Sequence, residues 1–439
     1  MNNYKITCVQ TYISLSSFIL ISFILVYPTA FSAVIPISTI ENLQKIGKDP
    51  AYPLNGEYEL IQDIDASDTV NWNSGKGFAP IGNSTSRFIG KFDGKNYVIR
   101  NLYISRGSED NIALFGYVGS ISEIHNVGLE NVFILGRNNV GSLAGTNSGK
   151  ITYCYATGGA EGAKNVGGLV GYNWGGTVTQ CYSTAMELGT EYIGGLVGYN
   201  SGPISYCYST GSSTASSSSS SSSGGLVGYN TDSVSYCYST GSSTASSSSS
   251  SSSGGLVGYN VGSVSYCYST GSSTASSSSY DYSYSGGLVG YNNGTISQCY
   301  STGNVFGQSN IGGLIAYKCE TCMVSQSYWD IQTSGQNTSA GGTGKTTAQM
   351  KQEATFVDWD FTNVWGIIKD VTYPYLIWQH IVPDVVGLSQ SEAENEIESS
   401  GMNVGAIIEE CSDTVPSGNV ISQDPLSGQQ VPPGTPVNL

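Results

Sequence analysis

The chain has 439 residues, of which 57 are glycine and 31 are tyrosine, and only 11% are charged. Its 16 Lys and Arg against 32 Asp and Glu give a formal net charge of −16. This balance argues against nucleic-acid binding, which needs clustered basic side chains to neutralise phosphates. With only two histidines, His125 and His380, a metal site built from several imidazoles is excluded.

Residues 1–33 have the pattern of a secretory signal peptide. Lys5 precedes an apolar run of fourteen residues from Ile13 to Val26, and the small residues Ala30 and Ser32 suit cleavage. An uncleaved anchor is the alternative, although fourteen residues fall short of the roughly 20 that span a bilayer. We therefore expect an exported protein, secreted or at the cell surface, with no membrane segment after cleavage.

A tandem repeat occupies the middle of the chain. The phrase Gly-Gly-Leu-Val-Gly-Tyr-Asn begins at Gly167, Gly194, Gly224, Gly254 and Gly286, with degenerate copies at Gly141 and Gly312. No copy contains a helical period, and about 26 residues suffice for three short strands and three corners. A β-propeller is the alternative, but its blades need about 40 residues. The spacing predicts a mainly β fold, a right-handed parallel β-helix with short capping helices.

Two apolar ladders are expected inside this β-helix, because equivalent positions of stacked circuits lie above one another. The first ladder comprises Leu169, Leu196, Leu226, Leu256, Leu288 and Leu314, and the second comprises Val178, Ile204, Val234, Val264, Ile296 and Val324. Residues 34–60 are expected to form an N-terminal cap around a helix opened by a capping box at Ser38–Glu41. Residues 61–330 hold the repeats, and residues 331–380 a C-terminal cap with a helix over Thr347–Phe356.

The repeated phrase resembles the GLUG motif of bacterial surface proteins. Gly77–Gly82, Phe88–Asn96 and Ile99–Ile104 are similar to the lead-in of such arrays, and Ser327–Asp330 to their exit. The resemblance covers about residues 55–380. It implies a surface β-helix of the kind that accompanies adhesins and immunoglobulin-cleaving metallopeptidases, without being the catalytic part of the latter.

Serine-rich inserts interrupt three circuits at residues 212–223, 242–253 and 272–285. Where other circuits have an apolar residue before Gly-Gly, these circuits have Ser223, Ser253 or Ser285. We expect this side of the β-helix to pack poorly or bulge outward as a flexible polar loop. A glycosylated surface stripe is the alternative.

Ten cysteines include six that recur in phase at Cys154, Cys181, Cys207, Cys237, Cys267 and Cys299. Their expected separation of about 4.8 Å is wider than the β-carbon spacing of a disulfide, which favours a column of buried free thiols. Cys319 and Cys322 are candidates for a small loop disulfide. Cys411 has no evident partner.

Two further patterns are candidate binding sites. The tyrosines 155, 182, 208, 238, 268 and 300 form either a stacking platform for carbohydrate or ordinary packing. Asp63, Asp65 and Asp68 are candidate ligands for calcium, with a solvated turn as the alternative. The array offers no paired acids, no HExxH and no Ser-His-Asp set, so no catalytic, cofactor or metal site is predicted.

The last part of the chain, residues 381–439, predicts a small α/β domain with a helix over Ser389–Ser399. It resembles a PASTA domain at Val382-Pro383, Gly387, Val415-Pro416 and Gln423, among other positions. The resemblance implies attachment to peptidoglycan fragments. Nine acidic residues and no Lys or Arg depart from the electropositive character that would favour anionic wall polymers.

These observations predict an exported, non-catalytic rod for adhesion or envelope structure, localised by the PASTA-like domain. The expected partners are peptidoglycan or another extracellular glycan. A carbohydrate-active β-helix enzyme and a scaffold for binding a protein are the alternatives, and the oligomeric state is left open.

Overall fold

Short strands that pair in parallel with their counterparts one repeat away build a β-solenoid. The computed structural model describes residues 34–278, 282–379, 382–400, 402–429 and 435–439. The predicted signal peptide and His380 therefore lie outside the described residues. Residues Val34–Leu439 belong to one compact unit.

Each circuit contributes to four stacked sheets, which we call faces I to IV. Face I contains Phe115–Val118, Ala144–Asn147, Val170–Asn173, Val197–Asn200, Val227–Asn230, Val257–Asn260, Val289–Asn292 and Ile315–Lys318. Face II contains Ile35–Ile37, Glu57–Leu60, Lys91–Asp93, Glu123–His125, Lys150–Thr152, Thr177–Thr179, Ile204–Ser205, Ser233–Ser235, Ser263–Ser265, Thr295–Ser297 and Val324–Ser325.

Face III receives two strand segments from most circuits. It contains Ile64–Asp65, Val98–Arg100, Tyr103–Ser105, Gly128–Leu135, Tyr155–Glu161, Tyr182–Ser183, Met186–Gly189, Tyr208–Ser209, Ser213–Ser217, Tyr238–Ser239, Ser243–Ser247, Tyr268–Ser269, Ser273–Ser277, Tyr300–Ser301, Val305–Gly307, Tyr328–Asp330 and Thr343–Lys345. Face IV contains Asn138–Val140, Lys164–Gly167, Glu191–Gly194, Ser220–Gly224, Ser250–Gly254, Ser283–Gly286 and Ile311–Gly312. The prediction of three strands per circuit was wrong, because the residues before Gly-Gly form a strand of their own.

Both predicted apolar ladders are present. The leucine ladder is fully buried, and the second ladder is buried from Val178 to Ile296, with Val324 packed against the same core. Glycine in the repeated phrase allows circuits to approach closely. A β-carbon on Gly225 would lie 2.2 Å from the carbonyl oxygen of Gly255 and 2.3 Å from Ser239 Oγ, so only glycine fits.

Asparagine side chains form a third internal ladder, which was not predicted from the sequence. The last residue of the repeated phrase donates its side-chain Nδ2 hydrogen to the Oδ1 of the next copy at 2.7–2.9 Å. The ladder comprises Asn147, Asn173, Asn200, Asn230, Asn260 and Asn292, all of them fully buried. Each amide therefore satisfies its neighbour where water is excluded.

The serine tracts form strands in faces III and IV, so the expectation of a flexible loop or bulge was wrong. Ser223, Ser253 and Ser285 point inward and are fully buried. Each pairs with a serine of the facing strand, for example Ser223 Oγ with Ser213 Oγ at 2.9 Å. Paired hydroxyls thus replace the apolar contact that other circuits make.

Short helices lie outside the repeats. The first spans Ile40–Lys45, where Thr39 rather than Ser38 is the N-cap, and it buries Ile40 and Leu43. The second spans only Thr347–Met350, followed by a 3-10 turn at Glu353–Thr355, so the helix predicted to reach Phe356 was too long. Further 3-10 segments lie at Ser67–Gly75 and Ile377–Gln379, and Trp365–Gly366 pairs antiparallel with Tyr375–Leu376.

The C-terminal domain has its own small core around a helix at Gln390–Ser399. Ala393 and Ile397 are buried in that core, as the helical spacing predicted. The only described strands of this domain are Asn403–Val404 and Pro436–Val437, which pair in parallel. Residues 420–422 are not in a strand.

Candidate binding surfaces

A row of tyrosines runs along the outer side of face I, and we call it the open tyrosine ladder. It comprises Tyr172, Tyr199, Tyr229, Tyr259, Tyr291 and Tyr317. Neighbouring ring centroids lie 4.4–4.9 Å apart, and from Tyr199 onward the planes are within 26° of parallel. In-register pairing of the strands produces this spacing directly.

Stacking decides which part of each tyrosine is available to a partner. The ring faces within the open ladder contact neighbouring rings, so the surface offers ring edges and hydroxyl groups. Burial raises the pKa of Tyr229 and of Tyr291 to about 12. These hydroxyls therefore stay protonated near neutral pH and can both donate and accept hydrogen bonds.

A second ladder lies on face III and contains the six tyrosines from Tyr155 to Tyr300 that are candidates for carbohydrate stacking. Their rings stack at 4.8–5.1 Å. Phe356, Trp359 and Trp365 of the C-terminal cap cover its far end, where Tyr300 is buried and donates its hydroxyl to the carbonyl of Pro374. At this end the ladder is internal packing, which is one of the two alternatives that the sequence offered.

The open ladder was missed because its tyrosine belongs to the same phrase as the core leucine. A signal was present, since the tyrosine recurs with the same period directly before the asparagine of each full copy. The structure buries Asn173 and leaves its strand neighbour Tyr172 half-buried, as alternation along a strand requires.

The C-terminal domain contains a cleft of about 790 Å³. Its lining includes the exposed Ile407 and Ile408, together with Glu409, Glu410 and Cys411. Acidic and apolar groups thus lie side by side in this cleft.

The three candidate calcium ligands do not converge. Asp63 accepts hydrogen bonds from Arg100 and from the backbone of Val98, and the guanidinium lowers the pKa of this carboxyl. Asp65 accepts from Asn101 and Ser67. Within the described residues no three His, Cys, Asp or Glu side chains are arranged to hold a metal ion.

The cysteine column lies between faces II and III as six buried free thiols. Backbone N–H groups in this column donate to the cysteine sulfur of the next circuit. For example, the N–H of Cys207 donates to Cys237 Sγ at 3.4 Å. Burial raises the pKa of the Cys154, Cys207 and Cys267 thiols. Cys319 and Cys322 form a disulfide, and Cys411 is free and exposed.

Carboxyl groups on the repeats are dispersed. Glu161 and Asp232 are exposed, and Glu191 pairs with Lys164 at 2.9 Å. Glu187 is 0% exposed and neither oxygen has a hydrogen-bond partner, so desolvation raises its pKa well above the ordinary value. Its side chain is enclosed in the core and has no contact with solvent.

Comparison with protein families agrees with this architecture. The family model described as the GLUG motif matches residues 162–187, 189–214, 219–244 and 281–305, and the PASTA domain model matches residues 380–439. The chain carries GLUG repeats and a C-terminal PASTA domain. Both resemblances seen in the sequence are thereby confirmed, and the mainly β solenoid followed by a small PASTA domain is confirmed with them.

Similar proteins share only part of this chain. Halomucin of Haloquadratum walsbyi is 40% identical over 136 residues, 30% of this chain and 2% of that protein. A Gly-rich membrane protein of Evansella cellulosilytica is 34% identical over 97 residues, 21% of this chain and 11% of that protein. An immunoglobulin A1 protease of Streptococcus pneumoniae is 33% identical over 119 residues, 27% of this chain and 6% of that protein. The chain thus spans a small fraction of each relative.

In the described part of the chain, no helix has the length and apolar character needed to cross a bilayer.

Proposed function

We propose that this protein is an exported, non-catalytic component of the cell envelope, a β-solenoid rod that its PASTA domain associates with peptidoglycan. The observation that carries the proposal is the join of a PASTA domain at residues 380–439 to a solenoid of GLUG repeats. The names of two similar proteins, a halomucin and a membrane protein, support an envelope location.

Adhesion or envelope structure is the role that we assign to the rod. The faces of the rod present ordered side chains along its length. The eleven strands of face II span about 48 Å at the usual strand spacing. The dispersed carboxyl groups and the sealed position of Glu187 support a binding role over hydrolysis. The similarity to an immunoglobulin A1 protease covers 6% of that protein and supplies no catalytic residue to this proposal.

Sedimentation with purified peptidoglycan sacculi tests the wall association. The chain should pellet with sacculi, whereas a variant lacking residues 382–439 should stay in the supernatant. The separate core of the C-terminal domain makes this deletion compatible with a folded solenoid.

A pair of matched substitutions locates the contact. Ile408→Asp changes an exposed residue of the cleft, and Leu426→Asp changes an equally exposed residue that does not line it. We expect the first variant to lose sedimentation and the second to keep it. Equal sedimentation of the chain with and without residues 382–439 would refute the proposed attachment.

A further inference from the structure

An aromatic and cationic cluster lies at the start of face I, before the open tyrosine ladder begins. Thr146 stands between Tyr117 and Tyr172 in this column of face I and interrupts the row of rings. Trp174, from the turn that follows, contacts both tyrosines, with ring centroids 6.2 Å from Tyr117 and 6.3 Å from Tyr172. Because it is 51% exposed, its indole remains available to a partner.

Arg87 supplies a positive charge that the protein itself does not neutralise. Its guanidinium carbon lies 4.4 Å from the centroid of Tyr117 and 5.9 Å from that of Trp174. The other three arginines of the described chain each pair with a carboxylate, whereas Arg87 has none. An exposed guanidinium held over aromatic rings presents its N–H fork to a hydroxyl or carboxylate.

Tyr117 provides an independent sign of a missing partner. It is 4% exposed, and its hydroxyl is buried without a hydrogen-bond partner in the structure. Buried hydroxyls are nearly always paired, so an exception needs an explanation. Movement of the exposed Arg87 side chain off the ring would let a bound molecule reach this hydroxyl.

We propose that Arg87, Tyr117 and Trp174 form a saccharide-binding site and that the open tyrosine ladder extends it into a track for a linear polysaccharide. The indole packs against the apolar face of a sugar ring, while Arg87 and the Tyr117 hydroxyl bond its oxygens. This inference rests on the proposed extracellular function, and it names the ligand class that the rod takes.

The ladder itself favours a polymer rather than a globular partner. Its ring centroids recur at intervals below 5 Å, and each ring carries a hydroxyl group. A chain of hydroxylated sugar rings would meet many weak, evenly spaced contacts along this surface, which together raise the affinity.

Calorimetric titration of the purified chain with cellohexaose, chitohexaose and hexagalacturonate tests the proposal. We expect at least one probe to bind, and Trp174→Ala to weaken it about tenfold or more. Tyr117→Phe should weaken it by about threefold to tenfold while the melting temperature stays equal or rises. Arg87→Ala should weaken binding, and most strongly so for the uronate. Phe306→Ala, an exposed aromatic of face III, is the matched control and should bind like the parent.

Failure of all three probes to bind the folded chain would overturn the proposal. Equal affinity of the parent and Trp174→Ala would also overturn it. Self-association that depends on Trp174, in the absence of sugar binding, would assign the surface to a second copy instead. These results are separate from wall attachment, because sedimentation with sacculi depends on residues 382–439 and oligosaccharide binding does not.

Discussion

Ser243 and Ser253 face each other inside one circuit, with their Oγ atoms 2.9 Å apart. Ser243 Oγ also lies 2.9 Å from the carbonyl oxygen of Gly254, and Ser253 Oγ lies 3.0 Å from that of Ser243. The same arrangement occurs one circuit earlier between Ser213 and Ser223. A low-complexity serine tract is therefore an ordered part of the solenoid.

Removing one hydroxyl group of this serine pair should lower the unfolding free energy measurably, although the group is small. Ser253→Ala removes one hydrogen-bond partner from Ser243 and one from Ser273, and we expect a loss of about 1–3 kcal/mol in unfolding free energy. The double variant with Ser243→Ala should lose less than the sum of the two single changes. Chemical denaturation measures both, with Ser218→Ala, at an exposed position, as the control. Strict additivity would contradict the pairing.

Side-chain burial that depends on the repeat period could be predicted from the sequence, whereas burial that depends on contacts with the facing strand could not. Leu226 and Val234 recur at a fixed spacing, and stacking of equal copies buries them whatever their neighbours are. Ser223 looked like a loop residue because serine has no apolar surface to bury. Its burial depends on Ser213 across the circuit, which the pattern of one tract does not reveal.

The candidate binding surfaces show the same contrast between periodic pattern and long-range contact. The tyrosine of the Cys-Tyr-Ser phrase is evident from its period, but its burial at one end of the ladder depends on Trp359 and Trp365 from a distant segment. Arg87 and Trp174 are 87 positions apart in the sequence and meet only after the solenoid has stacked.

Glu187 should make the protein less stable as the pH rises. The folded state holds its carboxyl buried, unpartnered and with a raised pKa, whereas the unfolded chain releases the proton above about pH 4.3. The folded state thus binds more protons, and the unfolding free energy falls with increasing pH above that value. Glu187→Gln should be more stable than the parent at pH 7 by at least about 1 kcal/mol.

Thermal melts at several pH values check this prediction. The difference between Glu187→Gln and the parent should shrink as the pH approaches 4, where both states are protonated. Glu161→Gln, at an exposed position, should follow the parent at every pH. A Glu187→Gln variant less stable than the parent at pH 7 would contradict the buried, unpartnered carboxyl.

Breaking the asparagine ladder should be costly. Asn230→Ala removes the acceptor for Asn200 and the donor to Asn260, leaving two buried amides partly unsatisfied. We expect a loss of about 2–4 kcal/mol, judged from the usual cost of each unsatisfied buried group. Differential scanning calorimetry measures the change, with the exposed Asn293→Ala as control. Equal melting temperatures of the two variants would show that the ladder contributes nothing.

The six thiols of the cysteine column should resist labelling in the folded protein. They are fully enclosed, whereas Cys411 is exposed. For the chain without residues 1–33, a maleimide should modify one thiol under native conditions and seven after denaturation without reductant, since Cys319 and Cys322 are paired. Mass spectrometry counts the labels, and rapid native labelling of Cys207 or Cys237 would contradict the buried column.

Wall association should strengthen when charge is screened. Residues 382–439 contain nine acidic and no basic residues, so they repel anionic wall polymers. Raising the ionic strength from about 0.01 to 0.15 M shortens the screening length from about 30 to 8 Å. We expect more protein to sediment with sacculi at the higher salt. A decrease would indicate attraction between opposite charges instead.

Fractionation of producing cells tests the central claim most directly, by locating the protein with and without residues 382–439. An envelope rod held by its PASTA domain should appear in the wall fraction as the full chain and in the medium after the deletion. A full chain that stays in the cytoplasm, or a deleted chain that stays with the wall, would contradict the account.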